Sequence, residues 1–245
     1  MTRGEFLELI CSENVREVLL ERVDEIGRLI PEVLPMVGFD QKNYHHIYNV
    51  WEHTACAVGH TPPEVVLRLA ALFHDMGKPH CFSLDDEGVG HFYGHAKVSA
   101  ELAQSVMNRL EMDRALIDRV VLLVRYHDSQ IEGTEKAVGR ALRKLTPEGF
   151  FQLIQLKRAD NLAQHPDYWE RQGYYDELEA LGRKVLSKQP PEPTFILSVD
   201  GNDLIAAGMT PGKELGDTLR TLRAAVESGE MKNEKGALLG YITKR

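Results

Sequence analysis

Cysteine is scarce in this chain. Only Cys11, Cys56 and Cys81 are present, far apart and in no CxxC spacing. That excludes a disulfide framework or a cysteine zinc finger and leaves buried reduced thiols as the simplest reading. Long apolar runs are missing too: nothing approaches the ~18 uninterrupted apolar residues of a membrane span, and the run around Val65 to Phe73 carries Arg68. The start, Met1-Thr2-Arg3-Gly4-Glu5-Phe6, has no basic stretch leading into an apolar one, so no secretory signal is read and a cytoplasmic chain is expected. Positive charge is in deficit, with 29 Lys+Arg against 37 Asp+Glu and a net charge of −8. That argues against a broad basic surface for nucleic acid, although not against a local basic pocket for one phosphate group.

What is present is an ordinary globular composition, 43% hydrophobic and 27% charged over 245 residues. That is enough for one large domain, or one domain with an appendage, without help from disulfides. Helical spacing dominates. Val65, Val66, Leu69, Ala70 and Phe73 form one stripe, and Val98, Leu102, Val106 and Leu110 a second. Leu116, Val120, Leu123 and Val124 form a third; Phe150, Leu153, Ile154, Leu156 and Ala163 form a fourth. No convincing two-residue alternation occurs. The segment from Cys81 to Gly94 reads as a loop or short hairpin. Gln189-Pro190-Pro191-Glu192-Pro193 cannot continue a helix, because three prolines fix φ and remove donors, so a linker is placed at 189–194. Beyond it, Leu215, Leu219, Leu222 and Val226 predict one further amphipathic helix. An all-α chain is expected, with an N-terminal helical segment over 1–40, a main domain over 41–188 and a small helical tail over 195–245.

Ten histidines spread over 245 residues would place about two between positions 45 and 95, yet eight lie there. Their facing directions explain why. Residues three, four and seven apart share a helix face. His74 follows Leu67, Ala70 and Ala71 at those spacings, and His127 follows Val120, Leu123 and Val124. Asp160 shares a face with Leu153, Leu156 and Ala163; His53 shares one with Val50, Cys56 and Ala57. His95 opens a helix three before Val98 and seven before Leu102. Polar groups therefore sit on faces that ought to be buried. A buried carboxylate without a partner costs several kcal/mol, and histidines converging on carboxylates are most simply compensated by a divalent metal.

The set His53 … His74-Asp75 … Asp160 resembles the HD-domain superfamily of metal-dependent phosphohydrolases, whose pattern is H…HD…D. Three stretches look like the HD portion of bacterial CCA-adding tRNA nucleotidyltransferases: Tyr48 to Thr54, Leu72 to Pro79, and His91 to His95. Asp200-Gly201-Asn202-Asp203-Leu204 through Met209-Thr210-Pro211-Gly212 is similar to their C-terminal segment. Nothing in the first 40 residues resembles the nucleotidyltransferase head, so CCA addition is not expected. The resemblance implies an HD helical bundle around a metal site, holding one or two ions, with a dinuclear site favoured. In that case Asp75 bridges, His53, His74 and Asp160 hold one ion, and His95 with His127 hold the other. Imidazole and carboxylate donors suit manganese, iron, cobalt, nickel or zinc.

The chemistry this implies is hydrolysis of a small phosphoester, a nucleotide or 2′,3′-cyclic nucleotide, by metal-bound hydroxide at phosphorus. Asp75 and Lys78 are the expected catalytic pair. Lys78, four after His74, is the expected phosphate contact, with Arg158 a weaker one. His45, His46, His80 and His91 read as loop or surface residues, with the pocket mouth as the alternative. Two other readings share the same residues: a nucleotide- or RNA-binding module without turnover, and a di-iron oxygenase. RNA is not favoured as a partner, because residues 195–245 carry seven acidic and seven basic side chains and so give little counter-ion release.

Overall fold

The computed structural model describes residues 1–188 and 197–242, so the expected proline-rich linker at 189–194 lies outside the described residues. The chain divides into two compact units, Met1–Lys188 and Gln189–Arg245. The first unit contains α1 (Arg3–Ile10), α2 (Val15–Glu21), α3 (Val23–Leu29), α4 (Val50–His60), α5 (Val65–Phe73), α6 (His95–Arg109), α7 (Arg114–Tyr126), α8 (Glu135–Leu162) and α9 (Arg171–Ser187). Its two strands, Ser83–Leu84 and Gly90–His91, form an antiparallel hairpin where a loop or hairpin was expected. The second unit contains α10 (Gly201–Ala206), α11 (Lys213–Glu227) and α12 (Lys235–Ile242) around Leu204, Leu222 and Leu238. The fold is all-α. No helix among the described residues is long and apolar enough to cross a membrane.

One core runs through the first unit. Phe6, Ile10, Leu19 and Ile26 from α1–α3 share it with Leu69, Leu72 and Phe73 of α5, Val120 and Leu123 of α7, and Phe150 and Leu153 of α8. Local signals fix the helix ends. Asn49 opens α4 as a capping box, its side chain accepting from the Glu52 amide while the Glu52 carboxylate accepts from the Asn49 amide. The Asp113 and Thr134 side chains cap α7 and α8 by accepting from first-turn amides. Helix α8 breaks at Thr146, where φ is 65° and Pro147 interrupts the ladder. Thr146 Oγ1 accepts from the Gly149 amide, so a second helical segment begins there with proline in its first turn. That segment carries Asp160.

Two expectations need correction. The buried face of α6 is His95, Ser99, Ala100, Ala103, Val106 and Met107, whereas Val98 and Leu102 are only half-buried. The reason is a close approach: a Cβ on Gly77 would lie 2.5 Å from the His95 carbonyl oxygen and 2.8 Å from the Ser99 nitrogen. Only small side chains fit against that turn, so the small-residue face wins over the more hydrophobic one. Among the described residues the tail forms three helices rather than one, because α10 and α12 each bury a single leucine and show no stripe.

Candidate metal centre

The site is built from the ends of helices. His53 projects from the first turn of α4, and its Nδ1 donates to the Ala163 carbonyl at 3.2 Å. His74 follows the last residue of α5 and donates Nδ1–H to the Ala71 carbonyl at 2.6 Å. His127 follows α7 and does the same to the Val124 carbonyl at 2.7 Å. His95, the first residue of α6, donates to the Phe92 carbonyl at 2.8 Å. A carbonyl oxygen can only accept, so all four rings must carry their proton on Nδ1 in the neutral form. Every Nε2 lone pair is then turned inward.

Those lone pairs converge on two carboxylates. Asp75 Oδ2 lies 3.5 Å from His53 Nε2 and 3.1 Å from His74 Nε2. Its other oxygen, Oδ1, lies 3.3 Å from His95 Nε2 and 3.7 Å from His127 Nε2. Asp160 Oδ1 closes the first half, 2.9 Å from His53 Nε2 and 3.7 Å from His74 Nε2. Two ligand groups result, His53–His74–Asp75 and Asp75–His95–His127, and Asp75 belongs to both. His53, His74 and Asp75 are essentially inaccessible, and His53 Nε2, His74 Nε2 and Asp75 Oδ2 make no well-aligned hydrogen bond. Buried polar atoms are rarely left so. The donor set fits a divalent cation: rings locked through Nδ1 with Nε2 presented are the usual way protein orients imidazole ligands.

Electrostatics agree. Burial opposes charge on His74, but the Asp75 and Asp160 carboxylates outweigh it and push the ring up to about 10. Burial would raise both acids. Against it, the His74 and Lys78 charges hold Asp75 well below the usual carboxylate range. The His53 and His74 rings beside it do the same for Asp160. Burial keeps His127 low.

Lys78 is buried with its Nζ 2.7 Å from Asp75 Oδ2 and donating to Gln41 Oε1 at 2.8 Å. It also lines a cavity of about 310 Å³ beside the cluster, with Asn43, His46, Asp75, His95 and Asp160. Arg158, expected as a weaker substrate contact, is placed elsewhere. Its guanidinium reaches Asp176 and Glu179 on α9, and it lines neither this cavity nor the adjoining one. Two residues before Asp160 on a helix, it points the other way.

Sequence reasoning missed two groups and underweighted a third. His46, read as loop or surface with the pocket mouth as the alternative, lines the cavity, stacks edge-on against His53 at 4.9 Å and is lowered strongly by burial and by the Lys78 charge. Gln41 holds Lys78. Lys157 donates to the His127 carbonyl at 2.5 Å and is lowered to about 8 by burial. His60, His80 and His165 do not line the cavity, whereas His91 does and pairs with Asp85 at 2.7 Å.

Comparison with known proteins bears on the same residues. A CC-adding tRNA nucleotidyltransferase from Thermus thermophilus is 37% identical over 238 residues, covering 91% of this chain and 51% of that protein. An A-adding tRNA nucleotidyltransferase from Deinococcus radiodurans is 32% identical over 224 residues, covering 86% and 50%. A bifunctional uridylyltransferase/uridylyl-removing enzyme from Ruegeria pomeroyi is 29% identical over 147 residues, 50% of this chain and 15% of that protein. The chain thus spans about half the length of the first two relatives. The HD domain matches residues 43–165, from the loop before α4 to just past Asp160, and so takes in the whole ligand cluster. The chain belongs to the HD-domain family.

Proposed function

We propose that the chain is a metal-dependent phosphohydrolase that cleaves a small phosphoester, a nucleotide or a 2′,3′-cyclic nucleotide. The observation that carries this reading is the convergence of four Nε2 lone pairs on the two oxygens of Asp75 beside an open polar cavity. A divalent pair held there supplies a water of lowered pKa and a clamp for phosphoryl oxygens. His53, His74 and Asp160 would hold one ion, His95 and His127 the other, with Asp75 shared.

The chain's own groups supply the rest. Nδ1–H bonds to backbone carbonyls keep the four rings from turning. Asp75 and Asp160 stay ionised at neutral pH because neighbouring positive charge and hydrogen bonds hold their pKa down. An ammonium has three donors; Lys78 commits one to Gln41, pairs its charge with Asp75, and would turn a remaining donor to a phosphoryl oxygen. In the reaction, water's oxygen bonds to phosphorus, the ester P–O bond breaks, and a proton passes to the departing oxygen. The name of the uridylyl-removing relative supports a removal reaction.

The test is release of phosphate, or ring opening, from a panel of nucleotides and cyclic nucleotides with added manganese, comparing wild type with Asp75→Ala. Activity in wild type that disappears in the variant supports the reading. A folded, metal-loaded wild type that cleaves none of them removes it.

A further inference from the structure

His46 stands on a turn that the fold pins from two sides. Its amide donates to the Asn43 carbonyl at 3.0 Å, and the His45 amide donates to Asn43 Oδ1 at 3.0 Å. Asn43 Nδ2 in turn donates to the Gly90 carbonyl of the hairpin at 3.1 Å, while the His45 carbonyl accepts from the His165 amide at 2.9 Å. The turn is thereby tied both to the hairpin and to the segment after α8. From it the His46 ring packs edge-on against His53 and lines the same cavity as Lys78, Asp75 and Asp160. Yet His46 belongs to neither ligand group.

The two ring nitrogens of His46 have different surroundings. Nδ1 is buried and has no hydrogen-bond partner. Nε2 has no protein partner among the described residues either, but it is not sealed off, so it is the nitrogen the cavity reaches. A neutral imidazole carries one proton, and burial keeps the ring in that form. Buried N–H groups without an acceptor are rarer than buried acceptors without a donor. The proton therefore belongs on Nε2, where water or a ligand can accept from it. This tautomer is opposite to that of the four cluster rings, whose Nδ1 atoms donate to backbone carbonyls. An Nε2 that carries its proton has no lone pair for a metal, so the ring is set to donate rather than to ligate.

We propose that His46 donates its Nε2–H to a phosphoryl oxygen held at the cluster, beside the Lys78 ammonium. The proposal rests on the phosphohydrolase reading only for the presence of a phosphoryl group there. Lys78 and His46 contribute differently. An ammonium on a flexible stem attracts negative charge from many directions. A single N–H on a ring fixed by its turn and by His53 favours one line of approach. His46 thus sets how the phosphoryl group is turned at the cluster, which is the part of binding that brings reacting atoms into line.

The test separates donation from packing. Manganese-loaded wild type, His46→Phe and His46→Gln are each titrated calorimetrically with methylphosphonate, which has no ester to cleave. His46→Phe keeps an aromatic ring against His53 but has no N–H, whereas His46→Gln returns an amide donor near the position of Nε2. Wild type is expected to bind methylphosphonate, His46→Phe to bind it about five- to tenfold more weakly at unchanged manganese content, and His46→Gln to stay within about threefold of wild type. In zinc-loaded wild type, nitrogen NMR of the histidine rings should find the His46 proton on Nε2. Equal binding by wild type and His46→Phe, equal loss in both variants, or a proton on Nδ1 overturns the proposal. So does a metal-loaded wild type that does not bind methylphosphonate. Binding with the expected ranking in a protein that hydrolyses no nucleotide would remove the phosphohydrolase reading and leave His46 in this role.

Discussion

The Nε2 atoms of His95 and His127 stand 3.1 Å apart, and both rings have their Nδ1 committed to a backbone carbonyl. Two lone pairs facing each other at that distance repel unless a cation or a shared proton lies between them. Replacing His127 with alanine removes one of the two donors beside Asp75 Oδ1 and leaves His53, His74 and Asp160 untouched. Elemental analysis of His127→Ala after manganese loading should show the bound metal reduced by about one ion per chain. Unchanged metal content would mean that His127 is only a packing residue.

Metal uptake should release protons. The Asp75 and Asp160 carboxylates keep the His74 ring charged to about 10 in the metal-free protein, and that proton occupies the nitrogen a metal needs. Calorimetry at pH 7.5 in buffers of different ionisation enthalpy is expected to report about one proton released from this ring, and affinity should rise with pH. The metal-free fold moves in the opposite direction. Because the folded pKa is raised, the stabilisation is complete below the ordinary histidine pKa of ~6.5 and is lost as pH climbs through about 10. Thermal melts of chelated protein should therefore fall across that window.

Lys78→Met leaves Asp75 Oδ2 without its buried ammonium partner, 2.7 Å away. Removing one member of a buried pair costs about 3–5 kcal/mol, and chelated Lys78→Met should unfold at correspondingly lower denaturant. Added manganese should recover part of the loss, because bound cations replace the missing charge. A variant as stable as wild type without metal would show that Lys78 carries no structural load.

Gly77→Ala probes the turn that seats α6. The new methyl would meet backbone atoms of His95 and Ser99 at 2.5 and 2.8 Å, neither of which can rotate aside. Overpacking of this kind costs about 1–3 kcal/mol. More tellingly, it should displace His95 and lower metal affinity, whereas Gly4→Ala, in open space, should do neither.

The candidate cluster was legible in the sequence because it breaks a local rule. His74, His127 and Asp160 each sit on an otherwise apolar helical face, and that contradiction is visible within one or two turns. Contacts made across long separations left no such trace. Gln41 meets Lys78, and Lys157 meets the His127 carbonyl, only after the chain has folded. The α6 register was misread for a related reason: hydrophobicity favours Val98 and Leu102, but the approach of Gly77 selects Ser99 and Ala103. Arg158 shows the converse error, since its carboxylate partners on α9 come from a separate helix.

The account stands on Asp75 presenting one oxygen to each half of the cluster. Crystals of manganese-loaded protein, measured for anomalous scattering, test this most directly. One peak should lie between Asp75 Oδ2, His53, His74 and Asp160, and a second between Asp75 Oδ1, His95 and His127. A map without peaks, with the four rings hydrogen-bonded to the carboxylates alone, would contradict it.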